Sequence, residues 1–348
     1  MPDFLLFVIV LGTLLLCHEL GHFIAAKLTR VRVDEFGIGF PPRLISLFEA
    51  GGTKFTLNLI PLGGFNRIAG EDDPEVPDGL AAASKRVRVF VLSAGSLANV
   101  FLGFIAFVLA FKFAAPDVER VIIADVVPAT PADTAGIQVG DLVESVDDQP
   151  ITSFESMVDA IQNRPDDTVR IVVERDNQEL TFELAPRIDY PADQGPIGVV
   201  LGHPALETSW LSAARMGGES IVMQVDALIR LPARLIQGTA EPEETRISGL
   251  KGIHDMLAWA NDIDSTAHRP FLTLNLIGVI SVGLALANLL PFPALDGGRL
   301  LFVFAEMILG RRIPPKFEAI IHTIGFAFLL ALMIYINLKD FTNPISLP

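Results

Sequence analysis

Two histidines and a glutamate stand inside an otherwise apolar run at residues 14–26, LLLCHELGHFIAA. On a helix, His18 and His22 are four positions apart and share one face, a turn apart. Imidazoles so placed can meet one metal ion, with Glu19 close to a water held there. Zinc suits this donor set, since a catalytic zinc takes three protein ligands and leaves a fourth position for water, whose pKa falls to about 7. Glu19 is then the base that accepts the water proton and passes it to a leaving amine. Packing alone is a poor account of the run. One charged side chain at the bilayer centre costs roughly 2.5 kcal/mol or more, and here three ionisable groups sit together. Cys17 adjoins His18, but helical neighbours point about 100° apart, so it reads as a small buried residue.

A third ligand is needed. The acidic candidates in or beside apolar segments are Asp296, Glu306 and Glu318. Asp296 stands apart by its setting, NLLPFPALDGG. Pro291 and Pro293 break a helix, and Gly297 and Gly298 let the backbone turn closely behind. A helix broken at membrane depth is tolerated where it lines a cavity. Such a break would deliver Asp296 into a polar pocket, with Asn288 nearby; a solvated Asp at a helix end is the plainer alternative. His322 is a weaker candidate, read as a core histidine facing the bundle.

Those motifs need elements to hold them. The chain has 348 residues, 51% of them hydrophobic, and a mean hydropathy of +0.47, which points to a membrane protein with one soluble portion. Segments 4–26, 89–111, 271–295 and 319–338 each reach the roughly 20 apolar residues a spanning helix requires. No basic stretch precedes the first, so it reads as a retained span rather than a signal peptide. The expected architecture is a polytopic α-helical membrane protein with about four transmembrane helices. The spans are placed at 1–28, 88–113, 270–298 and 316–338. Between the first two, 29–87 is not helical: RLISLFE and KFTLNLIPL flank AGGT as hairpin strands. Their apolar character fits a membrane-associated sheet shielded by protein, or equally an ordinary hairpin packed on itself. Residues 118–203 read as a compact mixed α+β domain, with SFESMVDAIQN as an amphipathic helix opened by Ser153. Segment 204–268 has helical spacing and fits either helices lying on the membrane surface or a soluble helical hairpin.

Charge orients the spans. Residues 112–271 hold 12 Lys and Arg against 27 Asp and Glu, a net charge of −15 that equals the net charge of the whole chain. The 27–88 connection carries nine Lys and Arg, and 299–316 carries four. By the positive-inside rule those two connections are cytoplasmic and the acidic block lies opposite. The motifs HELGH and LDGG then fall at one depth, near the cytoplasmic side. Nothing in this acidic balance suggests nucleic-acid binding. With Cys17 as the one cysteine, no intrachain disulfide is possible.

HELGH in a first span, NLLPFPALDGG in a penultimate one and TPADTAGIQVGDLVESVDDQPI between them together resemble the site-2 protease family of intramembrane metalloproteases, in particular the bacterial regulator-of-sigma-E type. FGIGFPPRL, LNLIPLGGFNRIAGED and IIHTIGFAFLLALMIYINLKD fit the same pattern, so the resemblance covers nearly the whole chain. It implies that His18, His22 and Asp296 bind Zn²⁺, that Glu19 is the catalytic base, and that Asn288 holds substrate or steadies the oxyanion. It also implies that 118–203 is an inserted PDZ-like domain outside the cytoplasm, and that the hairpin region binds substrate as an added strand. The expected partners are the lipid bilayer and single-pass transmembrane proteins, such as anti-sigma factors or signal-peptide remnants, already shortened by another protease. The expected place is the bacterial inner membrane. Ser96 stands where the family commonly has Pro, and Gly283 where some members have a second Asn. Two other classes compete: a PDZ-bearing membrane adaptor with an inactive metal site, which has no need of Glu19, and a metal transporter, which would spread ionisable groups along several spans.

Overall fold

The computed structural model describes residues 2–162, 167–191, 194–240, 246–267 and 269–344. In chain order come α1 (Asp3–Leu28), the strands β1 (Val33–Ala50) and β2 (Thr53–Ile68), and α2 (Lys85–Phe113). A mixed segment follows: β3 (Val121–Val126), α3 (Pro131–Ala135), β4 (Leu142–Val146), β5 (Gln149–Pro150), α4 (Phe154–Gln162), β6 (Val169–Arg175), β7 (Gln178–Leu184) and β8 (Val199–Gly202). Five helices complete the chain: α5 (Trp210–Gln237), α6 (Leu250–Ala267), α7 (Phe271–Leu289), α8 (Asp296–Leu309) and α9 (Pro315–Thr342). Among the described residues, α1, α2, α7 and α9 are long and apolar enough to cross a membrane.

The chain divides into two compact units. The smaller, Ala110–Trp210 with Asp264–Phe271, holds a sheet in the order β7-β6-β4-β3-β8, with β5 paired to β4. The alternate residues Val169, Ile171 and Val173 of β6 are fully buried against Val121, Ile123, Met157 and Ile161. Thr130 caps α3, and Gly136 closes it in the left-handed region. Asp141 is buried and accepts two hydrogen bonds of 2.6 Å from Arg175.

The larger unit, Met1–Leu109, Leu211–Ile263 and Leu272–Pro348, carries the spans and the long hairpin. Gly51 and Gly52, at φ 55° and 73°, form the two-residue turn that a hairpin favours. The strands run further than the sequence reading placed them. Each bends midway, so Glu35–Ile38 pairs on one side with Lys54–Leu57 and on the other with Gly64–Arg67, while Arg43–Ala50 pairs with Thr53–Asn58. Glu35, Thr53, Thr56 and Asn58 of this sheet are buried together with Val33, Phe36 and Ile68, whereas Phe40, Leu44, Ile45, Leu47, Phe48, Leu59 and Ile60 are exposed. Burial alone would push the Glu35 carboxyl up, but hydrogen bonds from Arg43 and Thr56, with Arg67 alongside, hold it below the ordinary carboxylate value.

Helix α2 starts three residues before the expected 88, because Ser84 Oγ accepts the Val87 amide at its entry. Segment 204–268 contains α5 and α6, with 241–245 and 268 outside the described residues. The largest difference from the sequence reading lies at 270–316. The expected span at 270–298 ends as α7 at Leu289, and the expected connection at 299–316 is mostly helix α8. Pro291 and Pro293 interrupt the backbone ladder, and Ala294 takes φ 78°. Beyond them Leu300, Val303 and Glu306 recur every three residues on the buried side of α8, and the cations Arg311, Arg312 and Lys316 lie past its end. The last helix is also longer than 316–338, opening on Pro315 at its first turn.

Candidate active site

Helix α1 presents His18 and His22 on its buried side, and their rings meet edge to face. Helix α2 packs against them through small residues. A Cβ on Gly95 would fall onto His22 Nε2 and lie 2.8 Å from His18 Cε1, and one on Gly21 would strike the Ala94 carbonyl of α2. The Val91 carbonyl lies 2.7 Å from His22 Nδ1. With Nδ1–H donating there, His22 turns the lone pair of Nε2 inward.

Asp296 arrives from the other side as the first residue of α8. The turn before it is braced by α9: the Ala294 amide donates to His322 Nδ1 at 2.8 Å, and Gly325 leaves room for Pro293. Gly297 and Gly298 sit so close to the carbonyls of Leu289, Leu290 and Phe292 that neither position tolerates a Cβ.

Three acceptor atoms therefore converge. Asp296 Oδ2 is 3.1 Å from His18 Nε2 and 3.2 Å from His22 Nε2, and the two nitrogens are 3.1 Å apart. Ligands about 2.0 Å from one tetrahedral ion stand about 3.3 Å from each other, so the triangle has the right size for zinc. Two imidazoles and a carboxylate are also a catalytic zinc donor set. Among the described residues this is the one group of three or more side chains placed to hold a metal ion.

A cavity of about 200 Å³ opens on the triangle, lined by His18, Glu19, His22 and Asp296 together with Phe40, Gly64, Phe65, Asn66, Ile68, Glu71 and Leu92. Glu19 is half-buried, with no hydrogen-bond or ion-pair partner among the described residues, so its carboxylate is available to a reactant. Arg299, one turn after Asp296, pairs with Glu71 at 3.1 Å and Asp72 at 3.0 Å. The other acidic candidates are engaged elsewhere. Glu306 is bound by Arg88 at 2.5 Å, and Glu318 lies 4.0 Å from His322 Nε2. Cys17 Sγ donates to the Ala98 carbonyl at 3.7 Å. Asn288, half-buried near the end of α7, is not among the cavity's lining residues. Gly95, Val91, Asn66 and the bracing role of His322 escape a reading of motifs, since each acts through a contact between distant parts of the chain.

The family model described as Peptidase family M50 matches residues 6–332. The chain belongs to peptidase family M50. This M50 peptidase is 32% identical, over 96% of its length and 97% of the relative's, to a protein of Clostridium perfringens that carries a zinc-metalloprotease name. It is 27% identical to the regulator of sigma-W protease RasP of Bacillus subtilis, again over 96% and 97% of the two chains. A Campylobacter jejuni protein with a zinc-metalloprotease name is 30% identical over 99% and 94%. Among solved structures, the PDZ domain of an SdrC-like protein from Listeria monocytogenes is similar at 24% identity, over 24% of this chain and 87% of that one, with a TM-score of 0.21.

Proposed function

We propose that this membrane-embedded zinc metalloprotease of family M50 cuts single-pass membrane proteins within their transmembrane segments. The observation that carries the reading is the triangle of His18 Nε2, His22 Nε2 and Asp296 Oδ2 beside Glu19 in one cavity, with both histidines on a helix long and apolar enough to cross a membrane. His18, His22 and Asp296 would hold the zinc. When bound, Zn²⁺ polarises the scissile carbonyl and makes water nucleophilic at neutral pH. Glu19 takes a proton from the attacking water and hands it to the leaving amine as the C–N bond breaks. Asn288 is assigned a hold on the substrate from the end of α7. Peptide groups in a helix are bonded to one another, so the substrate must unwind before attack. The Gly64–Arg67 edge of the hairpin, beside the cavity, offers replacement hydrogen bonds by strand addition.

The net charges of the loops support an orientation with both 27–88 and 299–316 in the cytoplasm and 112–271 on the opposite face of the inner membrane. In that arrangement the 118–203 domain acts as a PDZ-like filter that admits substrates already trimmed by another protease.

The test is the Glu19→Gln variant of the purified full-length protein. It should retain one zinc per chain and lose at least a hundredfold in the rate of cutting a transmembrane substrate, the usual scale for removing a general base. Normal cutting by that variant would sink the mechanism; a chain without stoichiometric zinc would favour an adaptor.

A further inference from the structure

The wall of the cavity contains a polar residue that the mechanism above leaves idle and whose side chain, unlike that of Glu71 with its Arg299 partner, is unpaired among the described residues. Asn66, on β2, lines the cavity with His18, Glu19, His22 and Asp296. Its Oδ1 and Nδ2 are both buried, and neither has a hydrogen-bond partner among the described residues. A buried amide without a bond is costly, and a native structure that keeps one calls for an explanation. The other orphaned polar atoms near the site are placed differently. His18 Nδ1 belongs to a proposed ligand, while Ser96 and Asn99 are fully buried on α2 and do not line the cavity.

Its position in the sheet says what the partner is. Asn66 pairs with Phe36 on one side. The Gly64–Arg67 lane has no strand on its other side among the described residues, so Asn66 stands on an edge. A segment drawn out of a helix into this cavity brings a peptide C=O and N–H that have lost their own partners, with little water to replace them. A carboxamide offers one donor and one acceptor in a plane, the complement of one peptide group. It is also neutral. Beside Glu19 and Asp296 it can hold a substrate without adding charge to the groups that do the chemistry.

We infer that Asn66 is a substrate-binding residue whose carboxamide pairs with a peptide group of the unwound transmembrane segment, next to the bond that is cut. The inference rests on the protease reading and goes beyond strand addition, because it assigns a side chain rather than the strand's backbone. Holding a peptide group that is already unwound in the bound substrate is a binding interaction, so its loss raises KM more than it lowers kcat.

The experiment uses the full-length protein in detergent, a transmembrane model substrate that it cuts, and the variants Asn66→Leu, Asn66→Gln and Glu19→Gln. Asn66→Leu keeps the shape and removes both polar atoms. It should lower kcat/KM about tenfold, or 1.4 kcal/mol, mainly through KM, with zinc content unchanged and Tm equal or higher. Asn66→Gln, which restores the carboxamide one methylene further out, should recover part of the loss. Unimpaired cutting by Asn66→Leu overturns the inference, and so does a loss of zinc or a fall in Tm in parallel with activity, which would make Asn66 structural. Glu19→Gln separates the claims: if it still cuts, the protease reading falls and this inference with it. An inactive Glu19→Gln beside an unimpaired Asn66→Leu removes this inference alone.

Discussion

A single imidazole on α9 fixes the backbone two residues before Asp296. Ala294 adopts φ 78°, a conformation that costs a residue with a Cβ about 1 kcal/mol or more, and its amide is held by His322 Nδ1. Replacing His322 with Leu leaves that amide without an acceptor, at about 1–3 kcal/mol, and frees the turn that aims the carboxylate. The expected result is weaker zinc retention in a chelator competition, while His322→Asn, whose Oδ1 can stand near the lost Nδ1, keeps most of it. Gly95 acts from the opposite side. Gly95→Ala puts a methyl 2.3 Å from His22 Nε2, so its zinc content should fall well below one per chain. The helices should persist, as circular dichroism can check, because Ala is the better helix former. If Gly95→Ala keeps full zinc, the close packing of α2 on the imidazoles has no part in building the site.

At the scale of the element, the outer part of the hairpin exposes large apolar side chains while four polar ones are buried. Glu35, Thr53, Thr56 and Asn58 are covered while Phe40, Leu44, Ile45, Leu47, Phe48, Leu59 and Ile60 are exposed, an arrangement that suits a sheet lying against lipid and would invite aggregation in water. Glu35 ties its lanes together through Arg43, Arg67 and Thr56. Its folded-state value lies below that of the free side chain, so the stabilisation is complete above about pH 4.5 and is lost as pH falls through the lower, folded value. Once exchange is corrected for the intrinsic pH dependence of free amides, the protection factors across residues 33–68 should fall on acidification below that point, whereas those of Glu35→Gln should be lower already at neutral pH and change little more in acid. Equal protection in the two proteins at pH 7 would remove Glu35 from the account. The hairpin's tip is legible in the sequence because Gly51 and Gly52 demand a tight turn. The inner pairing of Glu35–Ile38 is not, since it depends on bends near Gly39 and Gly63 that alternation does not encode. Helix α8 is hidden for another reason: the cations at 311–316 give its stretch the look of a loop, although the buried positions of Leu300, Val303 and Glu306 carry a helical repeat. In the site itself, a spacing of four puts His18 and His22 on one face, and the Pro and Gly residues around Asp296 mark a turn. How far that turn swings the carboxylate depends on α9, which no local pattern reports.

Over the whole molecule, acidity and basicity are segregated along the chain, and that segregation is an argument about the membrane. The block 112–271 carries as much net negative charge as the entire protein, so everything else sums to neutrality, with cations gathered in the two connections flanking the proposed ligands. Cations near span ends are retained on the cytoplasmic side, and acidic stretches cross freely. The orientation proposed above, with the His18–His22–Asp296 triangle near the cytoplasmic face, can be tested directly because Cys17 is the protein's one cysteine. With Cys17 replaced by Ala, which suits its place against Ala98, a cysteine at Asp73 and one at Glu119, both exposed positions, report on the two sides. A membrane-impermeant maleimide added to intact cells whose outer envelope has been opened should label Glu119→Cys and spare Asp73→Cys until the inner membrane is breached. Labelling of both from outside, or the reverse order, would invert the orientation and put the 118–203 domain with the cytoplasmic loops, where it could not sort substrates by what remains of them outside the cell.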